Sequence, residues 1–133
     1  MTAPIPYLQF PGTAREALTF YQEIFGGNLS LYSNADMGRT EGDGEAIGHG
    51  VLEGPVSLYG ADADPGTESY SSTGLMFALL GAAKSEVLRG WFSELSADGT
   101  VVDDLQVRPW GASDGQVIDR FGLLWLIGYE HED

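Results

Sequence analysis

The chain has no cysteine, and only six of its 133 residues are Lys or Arg. The first absence excludes disulfides and thiol chemistry. The second excludes the footprint of a nucleic-acid binder, because Arg15, Arg39, Lys84, Arg89, Arg108 and Arg120 are scattered rather than clustered. Twenty acidic residues bring the net charge to −14, so an anionic membrane surface is a poor partner as well. The acidity itself reads as solubility. No run approaches the roughly 18 consecutive apolar residues of a membrane span. Met1-Thr2-Ala3-Pro4-Ile5-Pro6 has neither a basic region nor a long apolar stretch, so it does not read as a secretory signal. With cysteine missing too, the expected location is the cytoplasm. Several motifs are also missing: a Gly-rich phosphate loop, a Gly-x-Ser-x-Gly elbow, a His-Glu-x-x-His pair and a dinucleotide fingerprint. Asp62-Ala63-Asp64 lies near Glu68 but lacks the spacing of a calcium loop, and reads as solvated linker.

What is present is a globular pattern. Hydrophobic residues make up 43%, and the length suits one domain with one sizeable core. The most ordered-looking stretch runs from Val107 to Gly128. Its two apolar runs flank Asp119-Arg120-Phe121-Gly122, where Gly122 supplies a positive φ and Asp119 bonds the backbone from its side chain. That predicts a β-hairpin. Leu123 to Ile127 has no polar interruption and reads as a central strand covered on both faces. Trp110-Gly111 to Asp114-Gly115 reads as a loop presenting a large aromatic beside the hairpin.

Pro6 to Phe10 reads as a first short strand, broken by Pro11-Gly12. Thr13 and Glu16 have capping-box spacing. Ala14, Ala17, Leu18, Tyr21 and Phe25 then share one helical face, and Gly26-Gly27 ends the helix. Leu29 to Ser33 reads as a strand. Asn34 to Glu45 is acidic and glycine-rich, and reads as a mobile surface loop. Ile47 to Leu52 reads as a strand with His49 and Val51 on one face, and Val56 to Gly60 as the next strand. Ala61 to Thr73 reads as a linker. A second round follows: a strand over Leu75 to Leu80, then a helix from Lys84 or Ser85. That helix carries Val87, Leu88, Trp91, Phe92 and Leu95 on one face. Next come a strand or broken pair over Val101 to Val107, the hairpin, and a frayed tail from Glu130.

The order therefore repeats. Two βαβββ modules, about 1–62 and 74–130, make up a single domain spanning 1–133. The predicted class is α+β, with the modules forming a curved mixed sheet around a cavity.

Three groups of residues carry a family resemblance. The first is Tyr7-Leu8-Gln9-Phe10 with Ala17-Leu18-Thr19-Phe20-Tyr21 and Phe25-Gly26-Gly27. The second is Gly48-His49-Gly50-Val51-Leu52. The third is Trp110-Gly111 with Asp119-Arg120-Phe121-Gly122 and Trp125. With these the chain resembles the vicinal-oxygen-chelate superfamily of glyoxalases, bleomycin-resistance proteins and dioxygenases, and within it the PhnB-like branch. The resemblance implies the glyoxalase/bleomycin-resistance fold and a homodimer. In the catalytic relatives it also implies a divalent metal held by about three or four His, Glu or Gln side chains. Carried over residue by residue, the first-strand position falls on Gln9 and a later one on His49, two weak candidates. The remaining two fall near Phe77 and Leu126, which bind no metal. The expectation is a protein without a metal or other cofactor that binds a small molecule near Gln9, His49, Phe77, Trp110 and Arg108. The alternative is a metal-dependent lyase or dioxygenase. Each residue also has a plainer reading: His49 as a hydrogen-bonded structural residue, Phe77 and Trp125 as core, Arg108 as a surface ion-pair partner.

Overall fold

A computed structural model describes residues 3–64, 69 and 74–131. The chain divides into two compact units, Met1–Tyr70 and Ser71–Asp133. In the first, β1 (Tyr7–Phe10) is followed by α1 (Ala14–Phe25), β2 (Asn28–Ser33), β3 (Ile47–Glu53) and β4 (Leu58–Asp62). In the second, β5 (Phe77–Leu80) is followed by α2 (Ser85–Ser96), β6 (Thr100–Val107), β7 (Ala112–Ile118) and β8 (Leu124–Glu130). Each unit is thus a βαβββ module with one mixed four-stranded sheet, ordered β1-β4-β3-β2 and β5-β8-β7-β6. The outer first strand of each pairs in parallel with the last, and the other pairs are antiparallel. The class is α+β with two βαβββ modules, as the repeat predicted.

The helices form where apolar spacing predicts them. Ala14, Ala17, Leu18, Tyr21 and Phe25 are the buried residues of α1, and Leu88, Trp91, Phe92 and Leu95 those of α2. Val87, expected on the buried face of α2, is 40% exposed. The capping box does not form, because Thr13 makes no side-chain cap bond. Instead the carboxylate of Asp62, at the end of β4, accepts from the backbone N–H of Ala14 and, through its other oxygen, from that of Ile47, both at 2.9 Å. One side chain at the end of an inner strand thereby satisfies an orphan donor at the helix start and one at the start of β3. Asp62 and Ala61 therefore belong to β4, not to the linker. The rest of the expected linker lies largely outside the described residues.

The close approach of helix and sheet decides which face is which. A Cβ on Gly50 would stand 2.5 Å from Leu18 Cδ1, so Gly50 faces α1. A Cβ on Gly60 would stand 2.8 Å from the Phe10 ring, which places Gly60 on that same side. By strand alternation, Tyr7, Gln9, His49, Val51 and Tyr59 project from the opposite, helix-free face.

In the second unit the hairpin forms as expected, but its first strand begins at Ala112, so the stretch from Ala112 to Gly115 is strand rather than loop. Asp119 N–H donates to the Leu123 carbonyl, and Gly122, at φ +89°, donates to the Asp119 carbonyl. The carboxylate of Asp119, 3% exposed, accepts from Phe121 N and Leu123 N at 2.8 and 3.2 Å and from the Trp125 indole at 2.8 Å. In β8, Trp125 and Ile127 are fully buried, whereas Leu124 and Leu126 are half-buried, so the strand is central but its two faces are not equally covered. β6 carries register shifts near Asp103, which accounts for its broken look in the sequence.

Two local expectations are corrected. The 34–45 loop is cross-bonded: Asn34 N–H donates to Ala46 O, Ala35 N–H to Gly44 O, and Arg39 Nη1 to Asn34 Oδ1. The tail is anchored: Glu130 completes β8, His131 N–H donates to Gly111 O, and His131 Nε2 lies 2.6 Å from Ser113 Oγ. Among the described residues no helix is long and apolar enough to cross a membrane.

Candidate functional site

The helix-free face of the first sheet gathers the aromatic and polar side chains with chemistry to offer. β1 contributes Tyr7 and Gln9, two residues apart and so on one face. Register carries the row across the sheet. Gln9 sits beside Ala61 of β4, and His49 lies one residue along from the Gly50–Gly60 pair, on the far side of Ala61. Tyr32 of β2 is opposite His49. Ala61 is small, so the row has a low floor between Gln9 and His49.

Around His49 the rings are ordered. Tyr7 and Tyr32 both stack on the imidazole, with interplanar angles of 15° and centroids 5.7 and 6.3 Å away. Tyr59 meets it edge-on at 6.2 Å. Tyr7 Oη is 2.9 Å from His49 Nδ1, a hydrogen bond between residues 42 apart in the chain. Tyr59 O–H donates to Glu53 Oε1 at 3.0 Å, and that bond, with burial and the Glu53 charge behind it, raises the Tyr59 phenol above its ordinary value. Tyr7 and Tyr32 remain close to half exposed, at 46% and 47%. A face of this kind offers ring surface for stacking and a few fixed polar atoms for orientation.

The metal implied by the resemblance was tested against this donor set. Gln9 and His49 share the face, but Tyr7 already engages His49 Nδ1, and Glu53 accepts from Tyr59. Among the described residues no group of three or more His, Asp or Glu stands close enough to hold an ion. The residues present do not fit such a centre.

The other sequence candidates lie in the second unit. Phe77 pairs with Trp125 across β5 and β8, their rings 5.5 Å apart. It therefore packs, half-buried, on the side of the buried Trp125. Arg108 is held by two carboxylates, Asp103 and Asp114, at 2.5 and 2.8 Å, with its side chain 19% exposed. Both bonds raise its already high pKa. Its hydrogen-bonding fork is committed inside the protein, which accords with the ion-pair reading. Trp110 stands at the tip of the β6–β7 hairpin, 69% exposed, beside a groove of about 460 Å³ lined also by Leu80, Asp114, Tyr129 and Glu130. The structure thus brings Gln9 and His49 onto one face. Phe77, Arg108 and Trp110 occupy three different settings in the other unit. Tyr7, Tyr32 and Tyr59 escaped the sequence reading; two-residue alternation from Gln9 would have pointed to Tyr7, whereas Tyr32 and Tyr59 follow only from strand pairing.

Comparison with known proteins places this geometry in context. The model of the Glyoxalase/Bleomycin resistance protein/Dioxygenase superfamily matches residues 6–127. The protein YjdN of Escherichia coli strain K12 is 31% identical, covering 92% of this chain and 91% of YjdN. The crystal structure of PA1353 from Pseudomonas aeruginosa superposes with a TM-score of 0.86 at 28% identity, over 99% of this chain and all of that one. A Bacillus cereus structure, described as a putative 3-demethylubiquinone-9 3-methyltransferase, PhnB protein, shares the fold. Its TM-score is 0.72 at 18% identity, over 98% of this chain and all of that one. On the match over residues 6–127 and the similarity to YjdN along nearly its whole length, this chain belongs to the Glyoxalase/Bleomycin resistance protein/Dioxygenase superfamily.

Proposed function

We propose that this protein binds a small, flat, largely apolar molecule without a metal ion, on the helix-free face of its first sheet. The observation that carries the reading is the row of rings: His49 stacked against both Tyr7 and Tyr32, with Tyr59 edge-on. Ring faces stack on other rings with little loss of side-chain freedom, and Gln9 and His49 supply the polar atoms that orient a ligand. The net charge of −14 disfavours a polyanionic ligand. We place the chain on the PhnB-like branch on the strength of the three groups of residues that carry its resemblance. We read it further as a cytoplasmic homodimer.

The test uses ethylbenzene as a flat apolar probe, followed by amide chemical-shift changes. The expected result is saturable shifts in β1 and β3, weakened in His49→Ala. Metal content is measured in parallel on protein purified without a tag or chelator. About one divalent ion per chain, lost in His49→Ala, would overturn the metal-independent reading and favour a metal-dependent lyase or dioxygenase. Absence of saturable probe binding would overturn the aromatic platform. Light scattering tests the assembly, with twice the 14.3 kDa chain mass expected.

A further inference from the structure

The geometry points to Tyr7 as the positioning residue that sets the proton on His49, and through it the ligand class. By this assignment Tyr7 O–H donates to His49 Nδ1. The imidazole proton then sits on Nε2, and the site presents a hydrogen-bond donor to an oxygen acceptor on the ligand, such as a carbonyl. The inference rests on the aromatic-platform reading and deepens it.

Tyr7 Oη and His49 Nδ1 are 2.9 Å apart, and either atom is able to carry the shared hydrogen. A phenol is a better donor than a neutral imidazole N–H, and an imidazole nitrogen is a better acceptor than a phenol oxygen. The O–H···N arrangement is therefore the lower in energy. Which imidazole nitrogen bears the proton is decided by the bond the other one makes. Nδ1 acting as acceptor leaves the proton on Nε2. Stacking by Tyr7 and Tyr32, each at 15° to the imidazole, limits the ring flip that would put Cδ2 in place of Nδ1 beside the Tyr7 hydroxyl. Among the described residues, Tyr7 is the one hydrogen-bond partner of the His49 ring. Nε2–H is thus left for a ligand.

Gln9 supports the same ligand chemistry from across the row. It is separated from His49 by Ala61, about two strand spacings or roughly 10 Å. A flat ring lying over Ala61 would carry its oxygen toward the His49 end, with the Gln9 amide at the other. With Nδ1 bonded to the phenol, Nε2–H discriminates against a ligand lacking the acceptor, because the N–H would lose its water partner and gain none.

The experiment reads the tautomer directly and the ligand class separately. Nitrogen-15 spectra of the histidine rings are recorded at about pH 9, alkaline to any ordinary imidazole. The wild type should show His49 Nε2 as the protonated nitrogen and Nδ1 as a hydrogen-bonded acceptor. Tyr7→Phe keeps the stacked ring and removes only the hydroxyl. It should shift the Nδ1 signal to that of an unbonded or partly protonated nitrogen, with the amide spectrum of the fold retained. Acetophenone is then compared with ethylbenzene, which has the same skeleton without the carbonyl. Wild type should prefer the ketone by about fivefold, the size of one net hydrogen bond. Tyr7→Phe should show a smaller preference. A wild-type spectrum with the proton on Nδ1, or Tyr7→Phe leaving both ring nitrogens unmoved, would overturn the assignment. Binding of the two probes with equal affinity would overturn the ligand class. If the tautomer is as expected and neither probe binds, the platform reading falls while the role of Tyr7 in setting the proton stands.

Discussion

Asp119→Ala should be the most damaging single change to the hairpin, and its cost follows from counting what the carboxylate satisfies. Two of its three bonds, to Leu123 N–H and the Trp125 indole N–H, are buried, and the third, to Phe121 N–H, is partly so. Alanine leaves these donors without acceptors in a place water reaches poorly. A buried donor left unsatisfied costs about 1–3 kcal/mol, so the two buried donors together imply roughly 2–6 kcal/mol. Taking about 3 kcal/mol, and about 4 °C per kcal/mol for a domain of this size, the midpoint should fall by roughly 12 °C. Asp119→Asn should cost less. Its amide keeps one acceptor oxygen but turns an NH2 toward either the indole or the two backbone donors, so one contact becomes donor against donor. Urea denaturation of the three proteins, followed by tryptophan fluorescence and far-ultraviolet dichroism, gives the comparison. Equal slopes with midpoints ordered wild type, Asn, Ala would support the ledger. A loss below about 1 kcal/mol for Ala would refute it, since that is the scale of one ordinary net hydrogen bond.

Three more changes test other parts of the structure. Asp62→Ala strips acceptors from Ala14 N–H and Ile47 N–H and should destabilise by about 1–3 kcal/mol in the same urea assay, whereas Thr13→Ala, which removes no cap bond, should be near neutral. Tyr59 should ionise above the ordinary phenol value in an ultraviolet difference titration of wild type against Tyr59→Phe, and Glu53→Gln should bring it back toward that value. Because its folded pKa is raised, the stability it contributes is present below the ordinary phenol value near 10 and is lost as pH rises through the folded value. Trp110→Phe should remove most of the acrylamide-quenchable fluorescence with little change in stability, since Trp110 is 69% exposed while Trp91 and Trp125 are buried. Unchanged quenching would mean that the loop tip is covered.

Much of the fold was legible because its determinants are local. Helical spacing identified all five buried positions of α1, since a 3.6-residue period leaves few alternative faces. The Asp119–Gly122 turn was legible because its chemistry is carried by the turn residues themselves. The failures were long-range. The capping box looked right at Thr13 and Glu16, yet the acceptor came from Asp62, 48 residues from Ala14. His131 looked frayed because nothing near it in sequence holds it, while Ser113, 18 residues away, does. Composition misjudged the 34–45 loop for a similar reason: polar residues with little to bury still bond one another when strand ends bring Asn34 and Ala46 together.

The candidate site was legible only in part, because a strand sequence gives faces but not neighbours. His49 was visible as the lone histidine of a strand, and Gln9 as the one polar side chain in an apolar strand. What turns them into a site is pairing. Tyr32 reaches His49 through the β2–β3 register, and Tyr7 reaches it across β4 through a hydrogen bond spanning 42 residues. Phe77 shows the converse. It occupies the first strand of the second module as Gln9 does of the first, and the repeat made the two look equivalent. In β5, however, Ala78 and Leu80 take the face opposite to Trp125, while Phe77 turns toward Trp125. A one-residue offset between two copies of one motif moves every side chain to the other face. The modules therefore share a topology without sharing a site. The ring row around His49 belongs to the first sheet, while in the second Asp103 and Asp114 hold Arg108.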